Sequence, residues 1–411
     1  MRLAVDRGLA ILMLGLAITC LAGLAFKAHC TPGGWTGGEQ YTTGCYSDAV
    51  PFWTAREIDR GKIPYLQSRM EYPVLTGGAI WLEGAAVRTL FGTRANAGDF
   101  LVAVTLVNAA LAFLVLWLLW RAGLDRARLW CWAAAPPLIL YLGHNWDMIA
   151  VAFAVTAMLA AWRNRLVAAA ATAALGVAAK LFPILLLPLL GLGALFEQGR
   201  PWRARLVRAA QVTAAAIVTW TLVNLPIAFG APENWSEFYL FSQSRGGTAG
   251  ATWDVLANTG WLPIAGEDKN RFAAIALLIG TVAIVALGWR RHRERLWVLF
   301  TPLLAWFLLT NKVYSPQYDL WLWPMLVMTA PRLWPLALYA ATGIAAYFAE
   351  FWWFAAMEGF SPGASYADIA WAALARALVL LWLIADCVRC DPPEWIARAG
   401  VRDNLVHVRE R

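Results

Sequence analysis

Arginine occupies every second gap between the apolar runs of this chain, and no other feature constrains the fold as strongly. Arg121, Arg126 and Arg128 share one gap, and Arg163 with Arg165 share the next but one. Arg200, Arg203, Arg205 and Arg208 follow two runs later, then Arg290, Arg291, Arg293 and Arg295. The tail beyond Asp386 is basic as well. Short loops on the cytoplasmic side of a membrane carry such an excess, so these gaps and the C-terminus are expected inside. The apolar runs cover 8–26, 99–120, 129–143, 147–162, 166–179, 181–196, 207–229, 271–289, 296–310, 318–330, 333–354 and 369–388. A soluble core does not repeat runs of this size, and hydrophobic residues make up 60% of the chain. The expected fold is an all-α polytopic membrane protein of about twelve transmembrane helices with both termini inside.

A net charge of +8 could point to nucleic acid, but the arginines stand at the ends of apolar runs, where they anchor and orient the chain. The expected partner is the membrane, with no nucleic acid. The first run follows Arg2 and Arg7. A cleaved signal peptide competes with an uncleaved helix there, and the run's length and the lack of a small-x-small site before Lys27 favour the helix. Several later runs fall short of the ~20 residues a full crossing needs. Such helices are expected to end inside a cavity lined by protein.

The apolar segment 73–92 breaks the arginine alternation if it spans, and it carries Glu83 and Arg88. Laid along the outer surface as an amphipathic helix, it restores the parity. This leaves one transmembrane domain over 1–389, with external loops at 27–98 and 230–270, and a basic cytoplasmic tail over 390–411.

The unusual polar residues fall in the arginine-poor loops. The first loop holds Cys45-Tyr46-Ser47-Asp48 and Glu71-Tyr72-Pro73. Later junctions hold His144-Asn145-Trp146-Asp147 and Lys180-Leu181-Phe182-Pro183. Arg245 lies in the second long loop, and Asn311-Lys312-Val313-Tyr314-Ser315-Pro316-Gln317-Tyr318 follows. These helix ends can converge on one cavity near the outer leaflet. Lys180 can either serve such a cavity or snorkel to the interface. Lys312, among Asn311, Tyr314, Ser315 and Gln317, offers donors around a positive charge, as an anionic ligand requires. Asp48, Glu71 and Asp147 each stand where a helix begins, so capping competes with catalysis for all three. Cys30 and Cys45 share the first external loop and are expected to pair, whereas Cys387 and Cys390 are expected to remain unpaired thiols.

Taken in order, the acidic first loop, the Pro-led surface helix, the Asn-Trp-Asp junction and the Lys-x-x-Pro junction change the reading. So does the Asn-Lys-Val-Tyr-Ser-Pro-Gln-Tyr segment. Over most of its length the chain resembles the polyprenyl-phosphate-mannose-dependent mannosyltransferases of actinobacteria, glycosyltransferase family eighty-seven of the GT-C superfamily. The resemblance implies a GT-C-like fold with two external juxtamembrane helices, which 50–60 and 73–92 match. It implies Asp48 as the catalytic base, with Glu71 in reserve. Substrate contacts are expected from Lys180, Lys312, Arg245, His144, Asn145, Asp147, Tyr314, Ser315, Gln317 and Tyr318. Many GT-C relatives place two acids in the first loop, whereas Ala49 follows Asp48 here, so no metal or other cofactor is implied. The implied partners are a polyprenyl-phosphate sugar donor and a lipid or glycan acceptor, met on the extracytoplasmic face of the plasma membrane. Arabinose or glucose could replace mannose. A transporter or lipid flippase is the rival class, though the polar motifs gather at one end rather than at the midplane.

Overall fold

The computed structural model describes residues 7–31 and 35–397. Its helices begin with α1 (Arg7–Ala28), α2 (Glu39–Thr42), α3 (Ala49–Ala55), α4 (Val74–Phe91) and α5 (Ala97–Ala122). Next come α6 (Arg126–Ala133), α7 (Pro136–Tyr141), α8 (Asp147–Trp162), α9 (Leu166–Ala179) and α10 (Leu186–Leu195). They continue as α11 (Trp202–Gly230), α12 (Pro232–Ser244), α13 (Thr252–Asn258), α14 (Lys269–His292) and α15 (Phe300–Thr310). The last are α16 (Asp319–Thr329), α17 (Trp334–Met357), α18 (Tyr366–Arg389) and α19 (Glu394–Ala397). Among the described residues the only β pairing is an isolated bridge between Pro64 and Ser68, so the protein is all-α.

Long helices lie outside and short ones inside. Five helical stretches, including α1, α5, α11 and α14, are long and apolar enough to cross a membrane. Their outward faces expose leucines such as Leu14, Leu106, Leu222 and Leu278. Lipid can cover such side chains where water cannot. The shorter α8, α15 and α16 sit within that ring, and every residue of α16 is buried. Short helices are tolerated there because their ends meet protein groups in place of lipid. The expected span at 129–143 is two pieces, α6 and α7. Pro136 and Pro137 cannot donate to a continuing helix, so the chain breaks ahead of them.

The arginine-bearing gaps meet at one end of the bundle. Arg208 pairs with Glu197 and donates to the Asn164 carbonyl, while Arg291 pairs with Asp391. The start of the expected tail docks at this end. Trp395 and Ile396 are buried, and the Trp395 indole donates to the Met328 carbonyl at 2.8 Å. The rest of that tail, 398–411, lies outside the described residues.

At the opposite end the first loop folds down onto the bundle. A disulfide joins Cys30 to Cys45, as expected, with Cα atoms 6.5 Å apart. Cys387 and Cys390 are free thiols. The two short external helices correspond to α3 and α4. One face of α4, bearing Ile80, Gly84 and Val87, is buried, while Leu82, Leu90 and Phe91 are exposed. Glu83 belongs to the buried face and accepts a hydrogen bond from the Trp146 indole at 2.7 Å. Burial, only partly offset by that bond, raises its pKa to about 7.

The second long loop contains α12 and α13. The Trp253 indole and the Thr252 hydroxyl donate to the Thr310 and Leu309 carbonyls, so α13 closes the C-terminal end of α15.

Candidate active site

Away from the arginines, the first loop, α12 and the turns before α8, α10 and α16 enclose a cavity of about 470 Å³. Of the residues singled out in the sequence, Asp48, Glu71, His144, Lys180, Arg245, Ser315, Gln317 and Tyr318 line it. They come from five separate places in the chain, and the cavity is where those places meet.

Asp48 precedes α3, but its carboxylate makes no capping bond to that helix. Its backbone amide instead donates to the His144 carbonyl at 2.8 Å, fixing the first loop to the turn before α8. The carboxylate is thereby turned to the cavity, where Oδ2 accepts from the Tyr72 hydroxyl at 2.8 Å. Burial raises its pKa, while the Tyr72 bond and then Lys180 act in the other direction. The group is thus a carboxylate more basic than usual with one oxygen not held by Tyr72. Glu71 lines the same cavity, yet both of its oxygens accept from Arg56 at 2.6 Å. A carboxylate whose two oxygens are both engaged by one guanidinium leaves neither of them unpaired for an acceptor hydroxyl. Glu71 therefore does not suit the reserve role expected of it, and it ties the loop to α3.

Lys180 follows the last residue of α9, in extended conformation, at a turn that Pro183 prevents from continuing as helix. Its Nζ lies 2.8 Å from Asp147 Oδ1 and 4.6 Å from the centre of the Tyr72 ring. Burial alone lowers the Lys180 pKa, but Asp147 and then Tyr318 outweigh it and leave the ammonium above its ordinary range. Asp147 is itself fully enclosed and accepts from the Trp321 indole at 2.7 Å. It holds Lys180 in place rather than lining the cavity, which corrects its expected contact with substrate. Asn145 is likewise structural. Its Oδ1 accepts from the Asp147 amide at 3.0 Å at the start of α8.

Lys312 and Tyr314 also differ from expectation. The Lys312 ammonium donates to the Gln243 and Arg245 carbonyls at 2.8 Å each, and is one chain layer behind the cavity. Burial, then Arg245, lowers its pKa. Lys312 thus straps down the strand of loop that presents Arg245. The Tyr314 hydroxyl donates to Asp319 at 2.8 Å, and the Arg376 guanidinium stacks on the Tyr314 ring at 3.6 Å.

Three further residues shape the site. Tyr72 orients Asp48, as above. Lys27, fully buried, donates to the Gly44 carbonyl at 3.1 Å, the Tyr46 carbonyl at 2.8 Å and the Tyr347 hydroxyl at 2.7 Å. It also stands 3.3 Å from His144 Nδ1. Burial, then Lys27 and Lys180, hold the His144 imidazole well below its ordinary pKa, so a neutral ring faces the cavity. Glu350, on α17, also lines the cavity. A charge inside an apolar run, or directly at its edge, is the signal that could have found Glu350 and Lys27.

Among the described residues, His29, Cys30 and Cys45 are the only group whose ligand atoms gather within 4.8 Å. Two of those atoms are the sulfurs of the disulfide, which are not available as thiolates.

No family model and no curated protein matches the chain. Among solved structures, the apo form of the Archaeoglobus fulgidus oligosaccharyltransferase is similar at 12% identity and a TM-score of 0.41. The match covers 93% of this chain and 56% of that one, so the chain spans little more than half that protein's length.

Proposed function

We propose that the protein is a membrane glycosyltransferase that moves a sugar from a polyprenyl-phosphate carrier to a lipid or glycan acceptor. The observation that carries this reading is the pairing of an oriented Asp48 with Lys180 and Arg245 around one cavity. In this reading the site faces the extracytoplasmic side of the plasma membrane, and residues 1–389 form one catalytic domain.

A polyprenyl-phosphate sugar arrives already activated, with its chain in the bilayer. Asp48 takes the proton from an acceptor hydroxyl as that oxygen bonds to the anomeric carbon. The bond from that carbon to the phosphate oxygen breaks on the opposite face, so the configuration inverts. The electron pair leaves with polyprenyl phosphate, which gains one negative charge. Lys180 and Arg245 stand where they can meet that charge. His144 is neutral and suits a hydroxyl, and Gln317 and Ser315 add adaptable polar contacts. Mannose is the sugar to which the motif order points, with arabinose and glucose as the donors to test beside it.

The test is to incubate the purified protein with polyprenyl phosphates bearing labelled mannose, glucose or arabinose and a membrane lipid extract. Label is expected to move from one donor into a component of the extract. No transfer from any donor, with label instead crossing the bilayer of reconstituted vesicles, overturns the reading in favour of transport.

A further inference from the structure

The cavity is lined by two unlike sets of side chains. One is cationic, with Lys180 and Arg245; the other is aromatic and acidic, with Tyr41, Phe351, Phe354 and Glu350. Glu350 is the anomaly. It is 94% buried, projects from α17, and reaches the cavity. Its carboxylate makes no hydrogen bond or ion pair with any described residue. A buried carboxylate left in that state is costly, and the proton transfer assigned to Asp48 does not use it.

The surroundings narrow what can satisfy it. Tyr41 lies 6.3 Å from Phe351 and 5.5 Å from Phe354, centre to centre, so the rings form a continuous apolar wall beside the carboxylate. Such a wall suits the C–H face of a sugar ring, and a carboxylate can accept from two neighbouring hydroxyls at the ring's edge. Charge argues for a neutral ligand. Arg376 and Arg245 already act on Glu350, so an amine would compete with two guanidinium groups for it, and an anion would face the carboxylate directly.

We propose that Glu350 and the Tyr41–Phe351–Phe354 wall form a carbohydrate subsite that holds a neutral hexose by two of its hydroxyls. The inference rests on the glycosyltransferase reading for its place in a reaction, but binding alone tests it. The hexose is either the acceptor's or the one being transferred, and both present the same hydroxyls.

The experiment compares the full-length protein with Glu350→Gln, each in lipid nanodiscs, by calorimetric titration. The probes are hexyl mannoside and hexyl glucoside below their micelle thresholds, bare polyprenyl phosphate, and polyprenyl phosphate bearing each sugar. Glu350→Gln keeps the shape but loses the charge, so hexoside binding is expected to weaken about tenfold or more. Loss of the extra affinity for sugar-bearing over bare carrier, with hexosides unaffected, supports the subsite and assigns it to the transferred sugar. Bare polyprenyl phosphate should bind both proteins alike, which shows that the variant is folded. Unchanged affinity for every sugar-bearing probe overturns the subsite. So does a wild-type protein that binds bare carrier but no sugar. Neither outcome touches the glycosyltransferase reading, which stands or falls on transfer.

Discussion

The two ends of the bundle bury positive charge in opposite ways. At the arginine end, Arg128 is 95% buried and donates to the Val327 and Ala330 carbonyls at 2.9 Å each, closing the C-terminus of α16. The Trp395 indole takes the Met328 carbonyl beside it. These donors meet backbone groups that the helix end leaves open, and the end is sealed. At the cavity end, Lys180 shares its charge with Asp147 but still lines open space. Arg245 lies over the Phe241 ring and finds no carboxylate among the described residues. Glu350 makes no hydrogen bond or ion pair among the described residues, though Arg376 and Arg245 act on it from a distance. A sealed end needs nothing further, whereas an end with charges held ready needs a ligand.

The largest effect should come from breaking the one strong pair at the open end. Lys180→Met leaves Asp147 enclosed without its cation, and loss of a buried ion-pair partner costs ~3–5 kcal/mol. Thermal unfolding followed by tryptophan fluorescence should show a clear fall in Tm. Adding Asp147→Asn should recover part of it, because the stranded charge is removed. No fall in the single variant would mean that Lys180 and Asp147 are not coupled.

A loss of similar size, but confined to stability, is expected at the sealed end. Arg128→Met removes two charge-assisted bonds to carbonyls, each worth ~1.5–3 kcal/mol, and a half-exposed pairing with Asp125. Affinity for polyprenyl phosphate should not change. A selective loss of that affinity would blur the distinction between the two ends. Smaller is Lys312→Met, which frees the loop carrying Arg245. Affinity for polyprenyl phosphate should drop about tenfold or less, in line with the loss of ordinary hydrogen bonds. A loss as great as that of Arg245→Met would restore Lys312 to direct contact with the phosphate.

Those two lysines also show what the sequence could reveal. Both stand at helix ends in arginine-poor loops, and the residues around Lys312 made it the stronger candidate. Only the fold shows that Gln243 and Arg245, distant in sequence, supply carbonyls that use up its donors. The length of the apolar runs and arginine parity made the bundle legible, since both are local properties repeated along the chain. The break between α6 and α7 was written in Pro136 and Pro137 and lost within an apolar run. Asp48 was legible from its motif, but its freedom from capping was not. That freedom depends on Tyr72 and the His144 carbonyl, residues brought to it by tertiary contacts. Arg56 neutralises Glu71 across a separation of fifteen residues, which no spacing rule reveals.

The most direct measurement is single-turnover transfer by Asp48→Asn at saturating donor, with donor affinity determined separately. Asn keeps the shape and can still accept from Tyr72, but it cannot take a proton. The rate should fall ~10²–10⁴-fold with donor affinity preserved. In the parent protein the base works only when deprotonated, and burial raises the Asp48 pKa. Transfer should therefore decline on acidification at a pH above the ordinary carboxylate range, and the residual rate of Asp48→Asn should lack that decline. A variant that transfers sugar at a near-parental rate, with the same acid limb, contradicts Asp48 as the base.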